Sequence, residues 1–143
     1  MPGNSDPLYS KIGDISTNGG TGMPVHVVTA TGDYTGISAN YVLIHTAGAN
    51  GSFVRGIRCT AEGTNTASVL RIFANNGSTN ATATNNAFLG QLTLPSTTAN
   101  NAQATTEPYY PLNIALPAGF RLYVGVGTTV AAGWMCVCEA GQY

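Results

Sequence analysis

The run Pro117-Ala118-Gly119-Phe120-Arg121-Leu122-Tyr123-Val124-Gly125-Val126 decides the fold class. Phe120, Leu122, Val124 and Val126 fall on one side of an extended chain, and Arg121, Tyr123 and Gly125 on the other. A period of two residues belongs to a half-buried strand. The Pro-Ala-Gly before it is turn chemistry, with proline fixing φ and glycine absorbing the reversal. Working outward, the same grammar repeats. Short runs rich in Val, Ile, Leu, Thr and aromatics, separated by Gly, Asn and Pro, predict strands over 25–31, 41–46, 53–60, 68–74, 87–94, 109–116, 120–126 and 133–139. No apolar stripe at helical spacing interrupts them.

Eight runs of this kind predict an all-β chain, an antiparallel β-sandwich of about eight strands and jelly-roll type. Pro111 lies inside the sixth run and brings no N–H to a ladder, so that strand belongs at a sheet edge or carries a bulge. In the third run, strict alternation puts Phe53, Arg55, Ile57 and Cys59 on one face and Val54, Gly56, Arg58 and Thr60 on the other. Asn50-Gly51 between the second and third runs is a hairpin signal, and Pro117-Ala118-Gly119 joins the sixth run tightly to the seventh. The connections 75–86 and 95–108 are almost wholly Asn, Thr, Ala, Gly and Ser, and read as exposed, projecting loops. Residues 1–24 form a separate zone. Asn18-Gly19-Gly20-Thr21-Gly22 is linker composition, and the segment before it carries Leu8, Tyr9, Ile12 and Ile15. It reads as an arm that docks on a neighbour or folds back as a strand onto its own sheet. Residues 25–143 form one β-sandwich domain.

Composition narrows the function. Only 8% of the 143 residues are charged and the net charge is −1, where an ordinary soluble domain has about 25% charged residues. No basic footprint exists for nucleic acid, and no apolar run approaches the roughly 18 residues of a membrane span. The N-terminal residues have neither the cationic nor the apolar part of an export signal, so no secretory signal is expected there. A chain of near-zero charge lacks repulsion between copies, and hydroxyls and amides cost less to desolvate than ions. The composition suits a surface shared with neighbours, including copies of itself as a dimer or trimer.

Chemistry-bearing residues are sparse. Cys59, Cys136 and Cys138 read as small buried hydrophobes in a reducing compartment. Cys136 and Cys138 are two apart on one strand, which is awkward for a disulfide. His26 and His45 have no zinc spacing, and the sequence calls for no metal and no cofactor. His45, Asp33 and a serine make a triad only on paper. Asp6, Asp14, Asp33, Glu62, Glu107 and Glu139 are scattered, and no phosphate loop or nucleophile elbow occurs. An enzyme is therefore not expected. Arg55, Arg58, Arg71 and Arg121 stand out among so few charges, all inside expected strands, with Arg55 and Arg71 on runs that could pair. Arginine suits interface contacts to carboxylates. These four, with Leu8, Tyr9, Ile12 and Ile15, are the candidate interface residues. The tyrosines, Tyr109 and Tyr110 among them, also suit stacking on sugars.

The C-terminal segment resembles a known group. Leu116-Pro117-Ala118-Gly119-Phe120-Arg121-Leu122, then Gly127-Thr128-Thr129-Val130-Ala131-Ala132-Gly133-Trp134, then Gly141-Gln142-Tyr143 is similar to the ending of small capsid decoration, or cement, proteins of tailed bacteriophages. The resemblance covers residues 116–143 well and the Thr/Asn-rich β character of the rest loosely. It implies a non-enzymatic jelly roll, made in the bacterial host cytoplasm. It also implies a place on the virion exterior, bridging major capsid protein subunits. Cys136 and Cys138 stand where that pattern has apolar or threonine residues. The motif is mostly architecture, so no binding residue carries over from it. A tail- or head-fibre domain that binds host carbohydrate through tyrosine-bearing loops is the alternative.

Overall fold

A computed structural model describes the backbone of Ile12–Ile15 and all of residues 24–143. The glycine-rich linker, Leu8 and Tyr9 lie outside the described residues. The strands are β1 (Ile12–Ile15), β2 (Val25–Val27), β3 (Val42–Thr46), β4 (Ser52–Ala61), β5 (Ser68–Asn75), β6 (Asn86–Leu94), β7 (Tyr109–Leu116), β8 (Arg121–Val126) and β9 (Trp134–Gln142). A 3-10 turn, Ala83–Asn85, precedes β6. Among the described residues no helix is long and apolar enough to cross a membrane.

The strands form two antiparallel sheets that close into a β-sandwich. One has five strands in the order β1-β9-β4-β7, with β2 also paired to β9, and the other has four in the order β3-β8-β5-β6. β2 lines the first half of β9 (Val25↔Cys136) and β1 its second half (Ile12↔Gln142). The pairing is nested. β5 pairs with β6, β4 with β7, β3 with β8, and β1 and β2 with β9. Each pair encloses the previous one and lies in the other sheet, so the chain is one long hairpin rolled over itself.

This nesting corrects three sequence expectations. The Asn50-Gly51 turn is sharp, with Gly51 at φ +87°, but β3 and β4 enter different sheets instead of forming a hairpin. The Pro117-Ala118-Gly119 turn likewise carries the chain from one sheet to the other. Arg55 and Arg71 do not sit on paired strands, because β4 and β5 belong to opposite sheets. Turn chemistry fixes a reversal of direction, while burial of both inner faces fixes which sheet the next strand joins.

The core lies between the sheets. Val54, Ile57, Cys59, Trp134, Cys136 and Cys138 come from one side, and Ile44, Leu70, Ile72, Leu122, Val124 and Val126 from the other, all at 0% exposure. β8 keeps the alternation read in its sequence. β4 does not: its register shifts between Val54 and Gly56 against both β7 and β9. The bulge sends Val54 and Ile57 inward together, and Arg55 and Arg58 outward together. Pro111 stands opposite Gly56 at this irregularity, on the edge strand β7, and so meets both conditions under which a strand tolerates proline.

The two outer faces differ. Segment 28–41 lies over the four-stranded sheet. The Thr31 N–H donates to the Val126 carbonyl at 2.9 Å, and Tyr41 meets Phe73 edge-on at 5.0 Å between centroids. Phe73 points outward from its sheet yet is only 1% exposed. Arg71 is buried beneath the same segment. Its guanidinium donates to Thr31 Oγ1 at 3.1 Å and the Asp33 carbonyl at 3.0 Å, and stacks 4.0 Å from the Tyr34 ring centroid. Gly125 makes room for the cover, since a Cβ there would come within 2.8 Å of the Tyr41 ring.

Asp33 shapes this cover. Its carboxylate accepts hydrogen bonds from the backbone N–H groups of Thr35, Gly36 and Ser38 and from the Thr35 hydroxyl. Partial burial opposes the charged form, but these hydrogen bonds outweigh it and hold the carboxyl below its ordinary range. A depressed folded pKa contributes stability that is fully present above the unfolded value and is lost as pH falls through the folded one. Asp33→Ala is therefore expected to cost about 1 kcal/mol at neutral pH, at the modest end because the group is partly exposed. The gap between variant and wild type should narrow once the pH drops below the ordinary carboxyl value of 3.8. Urea denaturation at several pH values checks this, and a gap that stays constant with pH contradicts it.

The 75–86 connection is largely exposed, as expected, and is tied to segment 28–41. Asn80 Nδ2 donates to the Gly36 carbonyl at 3.2 Å, Asn86 Nδ2 to the Thr35 and Asn80 carbonyls at 3.1 and 2.7 Å, and Asn75 Nδ2 to Asn86 Oδ1 at 2.9 Å. Amide side chains here replace ladder partners and tie the loop to the cover.

Candidate functional site: the open face of the five-stranded sheet

The five-stranded sheet presents an outer face that segment 28–41 does not cover. β4 places Phe53, Arg55, Arg58 and Thr60 there, β9 places Met135, Val137 and Glu139, β7 places Tyr109, Pro111, Asn113 and Ala115, and β2 places His26. Phe53 is 37% and Tyr109 36% exposed, two of the few large apolar side chains left to solvent. An exposed aromatic beside arginine is the composition of interface centres.

The β4 bulge determines the electrostatics. In an unbroken strand, residues 55 and 58 would face opposite ways. With one extra residue on β4 relative to β9, both reach Glu139, which stands opposite Gly56. Arg58 Nη2 lies 2.5 Å from Glu139 Oε1, and Arg55 Nη1 lies 3.7 Å from Glu139 Oε2. The Arg55 side chain is 73% exposed, that of Arg58 50% and that of Glu139 22%. One carboxylate thus serves two guanidiniums, leaving an excess positive charge on an open, partly apolar surface. Further along, His26 Nε2 sits 2.6 Å from Glu62 Oε2 and ties β2 to the end of β4.

Gly56 lies beneath Tyr109. A Cβ there would meet the Tyr109 phenol and come within 2.6 Å of the Tyr110 carbonyl oxygen. Gly56→Ala is expected to lower stability by about 1–3 kcal/mol through overpacking and to lift Tyr109 from the sheet. Chemical denaturation measures the first effect and tyrosine ring NMR shifts the second. Unchanged values for both contradict this placement.

The structure divides the expected interface residues. Arg55 and Arg58 are brought together on the open face. Arg71 is not available as a contact: at 8% exposure it is a structural cation inside the fold. Arg121 lies on the other sheet, donating from Nη1 to the Ser78 carbonyl at 3.2 Å to hold the 75–86 loop. Ile12 and Ile15 belong to β1, whose backbone pairs with β9 along the edge of the five-stranded sheet. Leu8 and Tyr9 are outside the described residues.

The other chemical candidates resolve differently. His45 Nε2 lies 2.7 Å from Ser52 Oγ, but both residues are at 0% exposure, so no substrate reaches the pair. Asp33, the third member of the paper triad, has its carboxylate engaged in the cover segment. Among the described residues no group of three His, Cys, Asp or Glu is placed to hold a metal ion. The 95–106 loop lines a shallow pocket of about 270 Å³ with Pro, Ser, Thr, Asn, Gln and Ala, and no aromatic ring lines it. Phe53 shares a face with Arg55 already in the sequence, whereas Glu139 and Tyr109 were missed as interface residues because they reach the arginines only through the registers of β9 and β7 with the bulged β4. Comparison with protein-family models, curated proteins and solved structures finds no match to this chain.

Proposed function

We propose that this protein is a non-enzymatic structural component of a tailed-bacteriophage virion, a capsid decoration protein. It sits on the outside of the shell and bridges neighbouring major capsid protein subunits. The observation that carries this reading is the asymmetry of the sandwich. Segment 28–41 lies over part of one outer sheet face and itself exposes Tyr34 and Ile37, whereas among the described residues the other face carries Phe53, Tyr109, Arg55 and Arg58 with no such segment on it. The nested strand pairing in two sheets supports reading the sandwich as a jelly roll, the fold implied by the C-terminal resemblance. The low overall charge suits a surface buried against partners and against other copies in a dimer or trimer.

The mechanism is linkage. A protein that binds the assembled lattice and not its separated subunits stabilises the lattice by mass action. The open face supplies apolar contact through Phe53 and Tyr109, and Arg55 and Arg58 select carboxylates on the shell. The test is co-sedimentation of the purified protein with expanded shells of the same phage, with calorimetry of the shells. Saturable binding and a higher shell melting temperature are expected. Absence of binding overturns the reading.

A further inference from the structure

We propose that Cys59 and Cys136 form an intramolecular disulfide that cross-links the two central strands of the five-stranded sheet. The two residues are direct partners in the β4–β9 register. Residues directly opposite in an antiparallel pair have Cα atoms about 4.5–5.5 Å apart, within the disulfide range. Their thiols lie with sulfurs 2.8 Å apart, closer than unbonded sulfurs sit comfortably, and closing to about 2.05 Å completes the bond. Cys138 is registered against Ile57 instead, so the strand register selects one pair among the three cysteines.

The chemistry is thiol–disulfide exchange with a low-molecular-weight disulfide such as oxidised glutathione. One cysteine thiolate attacks a glutathione sulfur, breaking that S–S bond and releasing one glutathione thiolate. The second cysteine thiolate then attacks the mixed disulfide and releases the other. Two electrons pass from the cysteine sulfurs to glutathione, and the two thiol protons end on the released glutathiones. Both cysteines are at 0% exposure, and burial, reinforced by the neighbouring Cys59, pushes the Cys136 thiol well above its ordinary pKa. The exchange therefore belongs to folding or to transient opening of the β4–β9 pair. In a reducing cytoplasm the thiols persist, and in an oxidising medium the bridge accumulates.

The test is to refold the full-length protein in glutathione buffers of increasing oxidised fraction. The folded monomer is then alkylated in denaturant without reductant. Two of the three cysteines are expected to become refractory to alkylation, with a Cys59–Cys136 cross-linked peptide in the digest. The melting temperature should rise on the order of 10 °C, because the bridge closes a long loop. Cys138→Ala should retain all of this, and Cys59→Ala should abolish it. Three alkylated cysteines in the oxidising buffer, a bridge that includes Cys138, or a bridge between chains each overturns the proposal. The outcome is independent of whether the open face binds a shell.

Discussion

Trp134→Ala is expected to destabilise the protein by about 3–5 kcal/mol, a large share of the roughly 5–15 kcal/mol that holds an ordinary domain together. Trp134 is the only tryptophan in the chain and is fully buried. It opens β9 opposite Val27 and Ala61, so its ring fills the core where β2, β4 and β9 meet. The effect should come from volume rather than from hydrogen bonding, because the buried indole Nε1 has no partner. Trp134→Phe removes no hydrogen bond and leaves a smaller cavity, so it should cost markedly less. Urea denaturation followed by circular dichroism measures both. Equal losses for the two variants contradict the packing account.

The second large effect is on binding. The double charge reversal Arg55→Glu/Arg58→Glu puts two further carboxylates beside Glu139, so its folding is checked by circular dichroism; the lost exposed ion pairs themselves contribute only about 0–1 kcal/mol each. The reversal should weaken association with the shell by about 100-fold or more, since like charges then face each other across the interface. The wild-type association should also weaken as salt rises. Arg121→Glu, on the opposite sheet, is the control and should bind nearly as wild type. If the double variant sediments with shells as wild type does, the open face is not the contact.

Much of the fold was legible in the sequence, because strand periodicity and turn residues are local signals. The run 120–126 alternates in the structure as it does in the sequence, and Pro111 is at an edge and at a bulge. What was not legible is relational. The Asn-Gly turn reverses the chain without saying that β4 enters the other sheet. One extra residue between Val54 and Gly56 moves Arg58 to the side of Arg55, and no pattern within β4 announces it. The segment around Gly32-Asp33-Tyr34-Thr35-Gly36 showed only that it was no phosphate loop. Its role as a cover depends on Phe73, Arg71 and Gly125, which come from distant strands. Cys59 and Cys136 are 77 residues apart, and their meeting likewise follows only from register.

The most direct measurement is cryo-electron microscopy of expanded shells decorated with the purified protein, at a resolution that distinguishes the two sheets. Density is expected on the shell exterior, spanning adjacent major capsid subunits. The β4-β7-β9 face, with Phe53, Arg55, Arg58 and Tyr109, should lie against the shell and segment 28–41 away from it. Shells without added density, or with the covered four-stranded sheet against the capsid, would contradict it.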